Sequence, residues 1–300
     1  MNKVLVTGGS GFIGRQVINI LLELEYNVHA VIFSQELPPH PMLTQHRINL
    51  FDKVTCEAFM KKNEFSHCIH LAWYTGEKCH SSLVNVDWAQ VSFDLLRFFH
   101  KYGGRRIVMG GSVSEYDFSY GVCREGFTPL TPPSLYGKCK AGVYHISEEY
   151  CRAVGLSFGW ARIFNLYGPY EKQNRLVPAV ILSILNENPV RVSPCTKYQD
   201  YLCVYDAAKA ITDFFRSSIE GAVNICSGAP VQLRSIVGEI ATQLQYDGEI
   251  EWGAIPESFD AKIVVGSNDR LISEVGWTQK FSLRKGLCVT IEWWKNNFSI

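Results

Sequence analysis

Three hundred residues, with 29 basic and 29 acidic side chains, suffice for one large α/β domain or a domain with an appended lobe, and exceed what a small disulfide or metal scaffold needs. Apolar residues at 47%, charged at 19% and aromatic at 13% exclude a disordered, fibrous or coiled-coil chain. Zero formal net charge leaves no global field to draw the protein onto nucleic acid or an anionic membrane, so neither is expected as a partner. The longest apolar stretch, Leu176 to Leu185, is about half a bilayer crossing. The N-terminus enters Lys3-Val4-Leu5-Val6 without a charged region and cleavage site, which predicts a cytoplasmic protein. Ten cysteines show no C-x-x-C pair, and several sit in apolar runs such as Val223-Asn224-Ile225-Cys226. They read as reduced core thiols.

Short β-rich runs alternate with helical patterns through the first half, the signature of a parallel sheet covered on both faces. Lys3 to Thr7 reads as a buried strand. Phe12 to Leu24 reads as a helix with Ile13, Val17, Ile20, Leu21 and Leu24 on one stripe. Further strands are expected at Asn27 to Ile32, weakly at Arg47 to Leu50, then at His67 to Leu71 and Arg105 to Met109, with a helix from Leu83 to Lys101. A helix from Tyr136 to Ala153 leads into a strand at Ser157 to Ile163, making a doubly wound, Rossmann-type sheet of at least six strands. After Asn165-Leu166-Tyr167-Gly168-Pro169 the pattern loosens, resuming with a helix from Val177 to Leu185. We therefore expect a dinucleotide-binding domain over residues 1–165, rejoined by about 199–226, and a smaller substrate lobe over 166–300.

Thr7-Gly8-Gly9-Ser10-Gly11-Phe12-Ile13-Gly14 follows the first strand and opens the first helix. Glycines at 8, 11 and 14 let the turn close and a pyrophosphate approach the backbone, with the helix N-terminus facing the anion. The carboxylate that usually holds an NAD ribose at the end of the second strand is missing from Val31-Ile32-Phe33-Ser34. Phe33 can cover an adenine face, and Ser34 with Arg15 can receive a 2′-phosphate, which leans towards NADP, with NAD as the alternative. Tyr136 and Lys140 in Tyr136-Gly137-Lys138-Cys139-Lys140 lie at i and i+4 on one helix face, where an ammonium would lower the phenol pKa. Ser112 is expected at the end of the fifth strand. The eight histidines show no H-x-x-x-H or H-E-x-x-H spacing, so no metal site is expected, and His70 reads as packing under the cofactor loop.

With these motifs the chain resembles the extended short-chain dehydrogenase/reductases of the nucleotide-sugar epimerase, dehydratase and ketoreductase group. The likeness runs through TGGSGFIG at 7–14, HLAW at 70–73, Ser112 ahead of Tyr116, YGKCK at 136–140, ARIFNLYGP at 161–169, QDYLCVYDAA at 199–208 and DRLISEVGW at 269–277. The resemblance implies Tyr136 as proton donor or acceptor, Lys140 on the nicotinamide ribose and Ser112 on the reacting carbonyl. It places Gly8, Gly11, Phe12, Ile13 and Gly14 around the pyrophosphate, Asn49 and Leu50 at the adenine, and Leu71, Ala72, Asn85 and Ile163 along the rest of the dinucleotide. Substrate contacts are expected from Ser112, Ser114, Asn165 and Gln199. The usual Arg-Asp pair reads Gln199-Asp200, so Arg175, Arg191 or Arg270 would have to supply the diphosphate's cation. The Ser-Ser common before the active site is Gly110-Gly111 here.

Two enzyme readings stay open. An NADPH-dependent 4-keto reductase of a nucleotide-linked deoxysugar is favoured over a C4 epimerase with tightly held NAD, and a non-catalytic dinucleotide sensor is the third. A 4,6-dehydratase is not expected, because Val113 and Ser114 follow Ser112 where that branch has Asp-Glu, and Glu115 is expected to face away. The resemblance also implies a homodimer through the helices at Leu83 to Lys101 and Tyr136 to Ala153.

Overall fold

A computed structural model describes residues 3–33, 35–257 and 261–297. Seven parallel strands form the main sheet: β1 (Lys3–Thr7), β2 (Asn27–Val31), β3 (Leu43–His46), β4 (His67–His70), β5 (Arg106–Ser112), β7 (Ser157–Ile163) and β11 (Gly221–Ile225), in the order β11-β7-β5-β4-β1-β2-β3. This is the doubly wound Rossmann arrangement. The two-residue strand β6 (Val122–Cys123) lies outside that sheet. Helices α1 (Gly14–Glu23) and α6 (Val204–Arg216) pack on one face, and α2 (Lys53–Asn63), α3 (Val84–Lys101) and α4 (Leu135–Val154) on the other. Alternation along β1 shows why two cores form: Val4 and Val6 face α1 while Leu5 faces α2 and α3.

The third strand lies at Leu43–His46 instead of Arg47 to Leu50. Its Leu-Thr-Gln-His sequence pairs residue by residue with Val28 to Val31 as an edge strand, so it needs no continuous apolar run. Residues 47–52 form the turn into α2, where the Asn49 side chain accepts from Phe51 N and the Asp52 carboxylate caps Val54 and Thr55 N–H. That helix was not expected from the sequence, because among its residues only Cys56, Phe59 and Met60 are buried. The fifth strand runs on to Ser112, past Met109, because Gly110 and Gly111 continue it against Ala161 and Arg162.

After β7 the chain forms β8 (Asn165–Tyr167), α5 (Leu176–Leu185), β9 (Val190–Val192) and β10 (Tyr198–Cys203). Beyond β11 come β12 (Pro230–Gln232), α7 (Leu233–Gln243), β13 (Ile250–Trp252), β14 (Ile263–Gly266), α8 (Asp269–Ser273) and α9 (Leu283–Asn297). A second sheet, β12-β10-β14-β6 with β8 beside β10, sits over a separate core shared by α5, α7 and α9. Its β8 and β10 pair in parallel, Asn165 against Tyr201, forming one wall of a cleft above the main sheet.

Candidate active site

The loops at the carboxyl ends of β1, β4, β5 and β7 converge, as they must at a strand-order reversal. After β1, Gly8 takes φ +70°, and a Cβ there would press on the Ala72 amide, so the turn requires glycine. Gly11 N–H donates to Gly8 O at 3.0 Å, and α1 begins at Gly14 with its free amides facing the turn. Phe12 and Ile13 are half-buried beside it. Leu71 N–H bonds Thr7 O and Ala72 N–H bonds Thr7 Oγ1, holding the β4 loop against the glycine turn. This cradle of bare backbone at a helix N-terminus fits a dinucleotide pyrophosphate. Leu50 is buried at the end of the groove and Asn49 exposed; Ile163 lies beside Ser112 in register. Phe33 is 90% exposed at the end of β2. Ser34 lies outside the described residues.

Tyr136, Ser112 and Lys140 come together because α4 starts hard against the end of β5. Ser134 caps the helix through Gly137 N–H, and a Cβ at Gly137 would overlap Ser114 O, so only glycine allows this approach. Ser112 Oγ accepts from Ser114 N–H at 3.2 Å. Lys140 Nζ is buried and donates to Gly110 O at 2.6 Å. Burial drops its pKa to about 7, with Glu115 pulling the other way. The expectation that Lys140 lowers the Tyr136 pKa is corrected here. Burial pushes the phenol up to about 12, and the groups acting against that rise are the Ser112 side chain and Arg175. Tyr136 is therefore neutral and ready to donate a proton.

Beneath the triad lies a buried charge network absent from the sequence reading. Glu115 is fully buried, and its carboxylate accepts from Ser112 N–H at 2.6 Å, from Trp160 Nε1 and from Arg162 Nε at 2.8 Å. Arg162 Nη1 also donates to Tyr116 Oη, which donates to Asn224 Oδ1. A Cβ at Gly111 would strike Trp160 and Glu115, which accounts for glycine where the related enzymes carry serine. Glu115 thus braces the end of β5 from below.

The other expected residues divide. Asn165 donates to Gln199 Oε1 and Asp200 O on the cleft wall. Asp200 is buried and collects Ser227 N–H, Ser227 Oγ and Gly228 N–H, so it organises the neighbouring loops. Arg175 acts electrostatically on Tyr136, Glu171 and Tyr201, which puts it at the cleft. Glu171 was missed; it keeps a buried carboxylate oxygen without a partner, and burial raises its pKa to about 8. Arg191 pairs with Glu251 on exposed β9 and β13, and Arg270 binds Ala222 O, Glu220 O and Glu274, closing the free edge of β11 near its start. Both are removed as diphosphate ligands, leaving Arg175. Asn85 is fully buried, its amide spent on Trp73 Nε1, Cys79 O and Ser82 O, so it shapes the 73–85 loop and does not meet the cofactor directly.

His70 is buried between Thr7 Oγ1 at 2.6 Å and Ser92 Oγ at 2.9 Å, and burial, then Lys140, lower its pKa to about 3. Below its ordinary value the unfolded chain takes a proton that the folded chain refuses. Stability is complete above about pH 6.5 and falls as pH drops towards 3, by about 2 kcal/mol at about pH 5 from this residue alone. Melting temperatures at neutral and mildly acidic pH should differ by several degrees, and His70→Gln should narrow the gap. Equal gaps in both proteins would contradict the assignment.

A family model described as "NAD dependent epimerase/dehydratase family" matches residues 4–226. The chain is 24% identical to a probable dTDP-glucose 4,6-dehydratase of Sinorhizobium fredii, over 98% of this chain and 93% of that protein. It is 23% identical to the dTDP-6-deoxy-L-talose 4-dehydrogenase (NAD(+)) of Aggregatibacter actinomycetemcomitans, over 88% of this chain and 99% of that one. Its fold matches the Thermus thermophilus UDP-glucose 4-epimerase, solved in complex with NAD, with TM-score 0.86 and 24% identity over 98% and 99% of the two chains.

Proposed function

Because the chain belongs to the NAD-dependent epimerase/dehydratase family, we propose that it is an NAD(P)-dependent oxidoreductase reducing the 4-keto group of a nucleotide-linked 6-deoxyhexose. The observation that carries this reading is a neutral Tyr136 phenol beside Ser112, at the end of β5 and facing the cleft wall of Asn165 and Gln199. A bound nicotinamide dinucleotide supplies the hydride. Tyr136 gives its proton to the forming alkoxide, and the Ser112 hydroxyl donates to the same oxygen, where exclusion of water strengthens both. Lys140 offers positive charge beside them, and Arg175 faces the substrate's diphosphate.

The likeness to a dehydratase does not carry over to the elimination step. Val113 and Ser114 hold no proton to exchange, and Glu115 is locked to Arg162 below the strand end. Incubation with nucleotide-linked 4-keto-6-deoxyhexoses and reduced cofactor should consume the cofactor and yield the alcohol. Interconversion of nucleotide hexoses without net cofactor consumption would replace this reading with the epimerase.

For the cofactor, the structure corrects one half of the NADP argument. Arg15 is buried, its Nη2 bonded to Ser10 O and Gln35 Oε1 and its face stacked on Tyr170 at 3.7 Å, so it is not free to receive a 2′-phosphate. No carboxylate stands at Ile32 or Phe33 to repel one either. We expect NADH and NADPH to bind within about tenfold of each other by calorimetric titration, a free-energy gap of about 1.4 kcal/mol. A hundredfold preference either way would show a ribose contact this reasoning lacks.

We further propose a homodimer through α3 and α4, supported by Val86 and Ile146, exposed on those helices, and by Leu83 just before α3. Light scattering giving a monomer mass would remove it.

A further inference from the structure

Trp73 ends the HLAW stretch, and its position relative to Lys140 is defined by four contacts. Its ring lies 3.7 Å from Lys140 Nζ, and its Nε1 donates to Asn85 Oδ1 at 2.9 Å. Trp88 stacks with it at 6.4 Å, and Tyr136 meets it edge-on at 6.3 Å. The indole is thus clamped, its face towards the ammonium and its edge held by a side chain that has no other acceptor role. Trp160 approaches the same ammonium less closely, at 5.9 Å.

We propose that Trp73 is a positioning residue for Lys140: its clamped ring holds the side chain aimed at Gly110 O and keeps it charged in a pocket that otherwise favours the neutral amine. The role rests on the reading of Lys140 as a residue of the reaction, but its physical basis does not. An ammonium over an indole face gains electrostatic attraction that a neutral amine does not, and the gain grows where water is excluded. The groups facing Lys140 are few. Glu115, in the turn after β5, favours the charge but is shared with Arg162 of β7. His70 of β4 is neutral, Tyr136 on the same helix is neutral, and Asn85 from α3 carries no charge. Removing the ring leaves burial opposed mainly by an acid already paired elsewhere.

The experiment titrates Lys140 directly by NMR of lysine labelled at Cε, assigned with Lys140→Met, and needs no substrate. In Trp73→Leu the Lys140 midpoint should fall by about one pH unit, and in Trp73→Phe, which keeps a ring, by a smaller amount. The alkaline limb of turnover should move down with it. An unchanged midpoint in Trp73→Leu, or equal falls in both variants, overturns the proposal. If Trp73→Leu does not fold, Trp73→Phe decides: a downward shift at unchanged melting temperature supports the role, and no shift overturns it. A shifted midpoint in a protein that turns over no nucleotide-linked ketone supports the contact while sinking the proposed function.

Discussion

Tyr136→Phe should abolish reduction of a nucleotide-linked ketone while leaving dinucleotide affinity within a few-fold. The phenol, held near pKa 12 by burial, is the proton donor beside Ser112, and a positioned general acid contributes about 10²–10⁴-fold. The pyrophosphate cradle between Gly8, Gly14 and Ala72 does not touch it, so binding has no reason to fail. The discriminating measurement pairs kcat with calorimetric cofactor binding in the same preparation. Turnover within tenfold of the native protein would remove Tyr136 from the chemistry. Lost binding together with lost turnover would point instead to collapse of the 73–85 loop, whose His80 O accepts from Tyr136 N–H.

Glu115→Gln should lower the melting temperature by about 10 °C, the largest stability effect we expect from a near-isosteric change. The substitution leaves Arg162, 2% exposed, without its counter-charge. At present burial, which would lower the Arg162 pKa, is outweighed by Glu115 and Tyr116, and the net shift is upward. Breaking one partner of such a buried pair costs about 3–5 kcal/mol, because the remaining ion keeps its desolvation penalty. The double change Glu115→Gln with Arg162→Met should recover part of the loss, since it removes the stranded charge as well. A single variant that melts with the native protein would mean the pair contributes nothing to the fold. Activity should fall less than in Tyr136→Phe, because the carboxylate reaches Ser112 only through its backbone N–H.

Local and periodic features could be read before any coordinates. The glycine turn after β1, the i, i+4 spacing of Tyr136 and Lys140, and the strand alternation that builds the sheet all depend on neighbours in the chain, where backbone geometry alone sets which residues meet. The edge strand β3 and the helix α2 were misread because their apolar signal is weak: an edge strand and a helix covering little core need few buried residues.

Tertiary structure alone decided the rest. Glu115 and Arg162 are 47 residues apart in sequence, and their pairing follows from β5 lying beside β7. Trp73 reaches Lys140 because α3 and α4 pack side by side across the end of β4. Arg15 looked available to a phosphate until Tyr170, from beyond β8, closed over it. Arg191 and Arg270 were chemically as suitable as Arg175, and only their places on β9 and against β11 separate them from the cleft. Residue type states what a side chain can bind; whether it is free to do so is settled by partners distant in sequence, whose approach carries no local signature.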